Sequence, residues 1–275
     1  CLEDFLVVAA DMLVEGRHFK EWASPEDVGY KAVAVNVSDV AAMGGVPRFV
    51  LASGGANEAE TALRCMEGVL RACEEFGVYP LGGDTTGAAA LTVDVSILGQ
   101  LAHVPVLRSG GRPGDLLAVT GELGASVAGL LALENGDADP ERLVKKHLRP
   151  EPRVSSGRVA ARLGAHAMID LSDGLASDVR HLCEMSGVGC RVDLGLLPIA
   201  GDTREYLRSS GRDPEILATT GGEDYELLMA ASEEVVEALV KESETPITVI
   251  GGMVGEEVVF VRDGEPVENL AGWDH

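Results

Sequence analysis

The sequence is poor in positive charge, in aromatic rings and in cysteine patterns, and it has no long apolar run. Lys and Arg number 22 against 45 Asp and Glu, a formal charge of -23. Such a field repels phosphate backbones and anionic lipid alike, so no nucleic acid and no membrane is expected as a partner. No apolar stretch approaches the roughly 20 residues of a membrane-spanning helix. Five cysteines (Cys1, Cys65, Cys73, Cys183, Cys190) form no CxxC pair and no ladder of spacings. That excludes a zinc ribbon and a disulfide framework and fits a reducing cytoplasm. There is no GxxxxGK[ST] and no protein-kinase signature set, which removes the P-loop nucleotide site. GELGAS at 121–126 lacks the third glycine of a dinucleotide fingerprint. No Ser/His/Asp or Cys/His arrangement stands out, although His18 beside Asp11 is kept as a candidate. No basic-then-apolar leader precedes the first strand; the chain opens at Cys1, and its start is expected to be incomplete.

At 275 residues and 46% hydrophobic content, the chain is long enough for two medium domains with their own cores. Residues 6–10 read as a short strand ending at Asp11, with a loop at Gly16-Arg17-His18. Ser24-Pro25-Glu26-Asp27 is a helix start, with serine as N-cap and proline at the first helical position; the helix is expected to run to Met43, where Gly44-Gly45 stops it. A second helix over 58–76 places Ala62, Met66, Val69, Leu70 and Cys73 on one face, with Cys65 and Cys73 as packing residues. Leu91, Val93, Val95 and Ile97 alternate with Thr92, Asp94 and Ser96, the pattern of a half-buried strand. A Gly- and Pro-rich hinge at 105–113 divides an N-terminal domain, 1–106, from a C-terminal one, 107–275. Beyond it, strands near 116–120, 165–169, 191–194, 225–231, 247–250 and 258–261 alternate with helices from about Ser126, Arg153 and Asp173, a mixed α/β pattern with a turn at Asp263-Gly264.

Acids at Asp11, Asp39, Asp84 and Asp170/Asp173 share a setting: each sits at or inside an apolar element and is flanked by small or hydroxyl residues. Asp39 lies in a helix that is apolar nearly all round, so its carboxylate must be bonded to backbone, paired or bound to metal. Leu81-Gly82-Gly83-Asp84-Thr85-Thr86-Gly87 reads either as a plain turn or as a loop whose N–H groups approach phosphate while the acid holds a cation. Ile169-Asp170-Leu171-Ser172-Asp173-Gly174 joins a strand to a helix, where Ser172 or Asp173 serves as a cap or as a ligand. Gly221-Gly222-Glu223-Asp224-Tyr225-Glu226 adds an acidic glycine loop with no basic partner within itself. An anionic substrate in so acidic a chain needs divalent cations to neutralise the local carboxylates, and several acids converging from separate strand ends suit that chemistry on polyphosphate.

Taken in order, these motifs resemble the thiamine-monophosphate kinase family. The likeness extends through Asp11-Met-Leu-Val-Glu-Gly-Arg-His18-Phe19, Tyr30 to Gly44, Gly82-Gly-Asp84-Thr-Thr86, Arg108-Ser-Gly, His147-Leu-Arg149-Pro-x-Pro-Arg153, Ile169 to Gly174, Gly221 to Glu226 and Gly272-Trp273-Asp274-His275. The resemblance implies a two-domain, mixed α/β aminoimidazole-ribonucleotide synthetase-like fold: an N-terminal sheet-and-helix domain that dimerises by joining sheets, then a C-terminal α/β domain. It implies ATP and several magnesium ions, thiamine monophosphate as substrate, thiamine diphosphate as product and a homodimer. By motif position Asp11, Asp39, Asp84, Asp170 and Asp173 correspond to magnesium ligands. Gly83, Asp84, Arg108 and Ser172 correspond to ATP contacts, and His18, Glu223 and Trp273 to substrate contacts. No residue is expected to act as a covalent or acid–base catalyst, since transfer is direct and in line. A sister ATP-dependent enzyme of aminoimidazole-ribonucleotide or selenophosphate synthetase type, and a catalytically impaired nucleotide-binding relative, remain open alternatives.

Overall fold

A computed structural model describes residues 5–137 and 139–273; Asp274 and His275, the last residues of the final motif, lie outside them. The first half contains β1 (Phe5–Val14), α1 (Pro25–Ala42), β2 (Val46–Ala56), α2 (Ala59–Phe76), β3 (Tyr79–Gly82), β4 (Thr85–Gly87) and β5 (Thr92–Leu101). Their sheet runs β1-β5-β2-β3 with β4 also on β2; β1–β5 and β5–β2 are antiparallel, whereas β3 and β4 lie parallel to β2. Period-2 alternation turns Val7, Leu13, Val93, Val95 and Ile97 inward, onto a core shared with α1 and α2. On the outer face, the register aligns Val8, Leu98, Phe49 and Tyr79 in one apolar row across four strands, and Val8, Phe49 and Tyr79 are exposed.

α1 begins as its sequence dictates: Ser24 Oγ accepts from Asp27 N–H, and Pro25 occupies the first turn. Residues 28–38 and 40–42 are all buried, because this helix contacts the first sheet, α2 and elements of the second half at once. A helix enclosed on every side carries no amphipathic stripe, which is why its sequence is apolar nearly all round.

The second half follows with β6 (Leu116–Thr120), α3 (Ala125–Asn135), α4 (Glu141–Leu148), α5 (Val154–Leu163), β7 (Ala167–Asp170), α6 (Leu175–Ser186), β8 (Cys190–Asp193), α7 (Gly201–Ser209), α8 (Pro214–Thr220), β9 (Leu227–Ala231), α9 (Glu233–Glu242), β10 (Ile247–Met253), β11 (Val258–Arg262) and β12 (Glu265–Pro266). The sheet order is β12-β11-β8-β10-β6-β9-β7. One face packs on Leu175, Val179 and Leu182 of α6, and the other on Ala160 of α5, Val236 and Leu239 of α9 and Ala42 at the end of α1. Strands covered on both faces become continuous apolar runs, as in the wholly buried β7 and β9. Among the described residues no helix is long and apolar enough to cross a membrane.

Several local expectations are corrected. β1 does not stop at Asp11 but continues to Val14, with Asp11 opposite Val95. β2 was hidden by Pro47 and Gly54-Gly55; a register shift between Pro47 and Phe49 absorbs the proline. Leu70 is 49% exposed rather than packed, while Cys65 and Cys73 are buried as expected. α6 starts only after Gly174, which stands at its N-cap position with φ 102°, so neither Ser172 nor Asp173 caps it. Gly83 has a structural reason of its own, since a Cβ there would collide with the carbonyl of Ala52. Gly83→Ala is therefore expected to lower stability by about 2–3 kcal/mol, read as an earlier midpoint in denaturant.

Candidate active site

A cleft of about 580 Å³ runs between the two halves, lined by β1 and the turn after it, α1, Arg108 in the connection from β5 to β6, the loops before α6 and before β9, and Trp273. Strand alternation puts Asp11 on the same inward face as Val7 and Leu13. On α1, Lys31, Val35 and Asp39 recur every four residues and so share one stripe. Lys31 and Asp39 are thus separated by about 12 Å along the helix axis, at 1.5 Å per residue.

Asp39 marks the acidic end. Its carboxyl hydrogen-bonds that of Asp11, and burial, followed by the charges of Asp170 and Asp11, pushes it up to about 8; Arg108 pulls the other way. Asp170 closes β7, is 3% exposed and accepts from Ser38 Oγ at 2.6 Å. Burial raises it as well, against the Ser38 bond. Asp178, which the sequence did not single out, completes the group: it is buried in the first turn of α6 and accepts from Asp173 N–H at 3.2 Å. Burial, then Asp173 and Asp170, lift its carboxyl to about 8. An acid in a first helical turn is ordinary, so only the fold reveals it.

The two glycine-rich loops are zipped together beyond the ends of β7 and β9. Leu171 N–H donates to Glu226 O at 2.8 Å, Tyr225 N–H to Leu171 O at 2.9 Å and Glu223 N–H to Ser172 O at 2.8 Å. Glu223 and Tyr225 both take left-handed φ, 67° and 51°, a conformation that costs a non-glycine residue of order 1 kcal/mol or more. The acids between them hold it. Asp224 caps α3 from afar, accepting Gly124 N–H at 2.7 Å and Ser126 N–H at 3.0 Å. Glu226 is clasped by both arms of Arg153, at 2.7 and 2.6 Å. Glu223 meets Lys31 Nζ at 2.8 Å and His147 Nδ1 at 3.4 Å. Burial works to raise Glu223, but Lys31 and His147, with His18 beyond, overcome it and keep the carboxyl below its ordinary range. The basic partners missing from the loop come from α1, α4 and the turn entering α5.

His147 is wholly buried, and burial, followed by Lys31, lowers it from 6.5 to about 3 despite Glu223. Between those values the unfolded chain carries a proton on this imidazole and the folded protein does not, so stability falls as pH drops, by up to about 1.4 kcal/mol per unit. His147→Asn is expected to flatten the acid limb of stability against pH, measured by urea unfolding; an unchanged slope between about pH 6 and 4.5 would contradict a neutral imidazole.

Comparison with known proteins now decides the family. Residues 2–101 match the model for the AIR synthase related protein, N-terminal domain, and 112–264 that for the C-terminal domain. The chain is 38% identical over 276 residues to thiamine-monophosphate kinase of Mycobacterium tuberculosis, covering 97% of this chain and 80% of that one. It is 39% identical over 260 residues to the Bacillus subtilis kinase, covering 89% and 79%. A solved structure described as AaThiL complexed with AMPPCP and TMP superposes with a TM-score of 0.89 at 36% identity, covering 98% of this chain and 87% of that one. The chain belongs to the thiamine-monophosphate kinase family.

Among the residues marked by family motif, Asp11, Asp39, Asp170, Asp173, Arg108, Ser172, His18, Glu223 and Trp273 all line the one cleft. Trp273 is brought there by its own backbone, which donates to Asp173 O at 2.8 Å. His18 closes the turn after β1 by accepting Val14 N–H at Nδ1, 3.0 Å. Gly83 and Asp84 are not part of that lining. Asp84 is exposed between β3 and β4, where its Oδ1 accepts Thr85 N–H at 2.9 Å and its N–H reaches Ser53 Oγ at 3.2 Å. Among the described residues no three His, Cys, Asp or Glu side chains stand as a ready-made metal cage.

Proposed function

We infer that this chain transfers a phosphoryl group from ATP to thiamine monophosphate, giving thiamine diphosphate and ADP. The observation that carries the reading is the convergence of Asp11, Asp39 and Asp170 from three separate elements at one end of a cleft, in a chain 38% identical to a thiamine-monophosphate kinase. The acceptor is a phosphate oxygen already ionised near neutral pH, so no strong general base is needed and no residue is assigned as a covalent or acid–base catalyst. Positioning and charge placement do the work.

Carboxylates crowded at one end of a cleft have the donor chemistry of a hard-cation site, so Asp11, Asp39, Asp170 and Asp173 fit magnesium ions; Asp84 joins them by motif position alone. When bound, magnesium neutralises charge on the polyphosphate. Ser38 holds the Asp170 carboxylate in place, and Asp178 fixes the backbone at Asp173. Arg108 and Ser172, which line the cleft, are assigned to the nucleotide phosphates, and Gly83 is assigned by motif. His18, Glu223 and Trp273 receive the thiamine part, where an aromatic face suits a cationic thiazolium.

The apolar row Val8, Leu98, Phe49, Tyr79, with Leu6, Met12 and Leu51 also exposed, is the face through which we propose that two copies join their N-terminal sheets. Residues 1–106 would thus supply both the dimer contact and part of the acidic end, and residues 107–275 the loops that face it. The cytoplasm is the expected location. Incubating the chain with ATP, magnesium and thiamine monophosphate should give ADP and thiamine diphosphate in equal amounts. ATP binding without thiamine diphosphate would refute the reading in favour of a catalytically silent relative.

A further inference from the structure

At the far end of the cleft from Asp39, two polar atoms have nothing to bond. Trp22 Nε1 and His147 Nε2 are shielded from water, lack a hydrogen-bond partner among the described residues, and belong to side chains that line the cleft. Their rings meet edge to face, with centroids 5.5 Å apart at 63°. An unpaired buried polar atom costs about 1–3 kcal/mol, so two such atoms on neighbouring rings call for a partner from outside the chain.

The other side of the imidazole fixes what His147 offers. Its Nδ1 faces Ser126 Oγ at 3.1 Å and Glu223 Oε2 at 3.4 Å. Glu223, held ionised by Lys31, only accepts, so Nδ1 carries the hydrogen and Nε2 presents a lone pair. The indole of Trp22 only donates. Together they read a planar group with an acceptor nitrogen beside an N–H donor, the amidine edge of an aminopyrimidine. Val127, Leu130 and Leu217 supply apolar wall nearby.

We propose that Trp22 and His147 form the specificity subsite for the aminopyrimidine ring of the substrate: the indole N–H donates to the ring nitrogen beside the amino-bearing carbon, and the amino group donates to His147 Nε2. This deepens the kinase reading and rests on it. The spacing agrees, because Lys31 reaches His147 through Glu223 while Asp39 stands about 12 Å away along α1, a length comparable to extended thiamine monophosphate from ring to phosphate. Adenine carries the same edge, and the test separates the two.

Binding of thiamine monophosphate and of its 4-oxo analogue, in which both hydrogen bonds are reversed, is measured by calorimetry on the full chain, alongside AMPPCP. The wild type should prefer the amino form on the order of 100-fold. Trp22→Phe, which keeps a ring and removes only the N–H, and His147→Asn should each cut that preference to about tenfold or less, with AMPPCP affinity unchanged and folding checked by melting. Because the analogue comparison on the wild type needs no substitution, a misfolded variant leaves the proposal testable. Equal wild-type affinity for both forms, full preference retained in Trp22→Phe, or a loss confined to AMPPCP would each overturn it, the last by placing adenine there. Turnover is assayed in parallel: retained preference without thiamine diphosphate formation would sink the kinase reading alone and support the subsite.

Discussion

Asp39→Asn is expected to cut kcat by about 10²–10³-fold or more while leaving the melting temperature unchanged or raised. The carboxyl lies against Asp11 and Asp170 with burial pushing it up to about 8, so the folded protein holds its proton more tightly than the unfolded chain does. For a group raised in this way, stability is greatest below its ordinary value of 3.8 and is lost as pH rises toward about 8. The amide has no charge to place there, which removes that loss and favours the ligand-free variant at pH 7–8. The same amide is a poor substitute for an anionic oxygen facing a polyphosphate. A core aspartate with a purely structural task would behave in the opposite way, with lost stability and retained turnover. Steady-state rates and melting scans on one preparation separate the two, and wild-type turnover would remove Asp39 from the phosphoryl-transfer site.

The elements that were legible in the sequence are those whose signals are local. Ser24 and Pro25 announced α1, and its all-round apolarity showed that Asp39 had to be explained. The alternation of Val93, Val95 and Ile97 gave the strand that lies in the middle of the first sheet. The glycine-flanked acids at 170–174 and 221–226 marked the cleft. What the sequence hid depends on partners far along the chain. β2 was obscured by its own proline and glycines, which a bulge and two parallel neighbours accommodate. Asp224 and Glu226 read only as members of an acidic glycine loop without a basic partner, but the sheet order brings them to the start of α3 and to Arg153. Lys31 sat unremarked inside an apolar helix until Glu223 arrived beside it. Motif order grouped Asp84 with the other acids, whereas the fold leaves it outside its own chain's cleft, on a strand connection that tertiary pairing alone positions.

Removing the cation that holds the second glycine loop is expected to have the largest effect on stability. Arg153→Met should cost about 3–5 kcal/mol, a fall in melting temperature of roughly 10 °C. Glu226 is 2% exposed and takes both arms of the guanidinium. Its Oε2 also accepts Thr120 Oγ1 at 2.6 Å, and that hydroxyl in turn receives Leu227 N–H at 2.8 Å. Without Arg153 a carboxylate remains inside the protein with one neutral donor, and its desolvation is no longer offset. Adding Glu226→Gln removes the stranded charge and keeps an acceptor for Thr120, so the double variant should recover about 2 kcal/mol, the coupling a double-mutant cycle would register. Glu223, the proposed substrate contact, lies three residues away in the same loop and takes a left-handed φ of 67°. Arg153→Met should therefore raise KM for thiamine monophosphate more than KM for ATP, and the double variant should restore that difference in step with stability. Additive energies, or a KM rise of equal size for both substrates, would show that the clasp does not hold the loop in place for the thiamine side of the cleft.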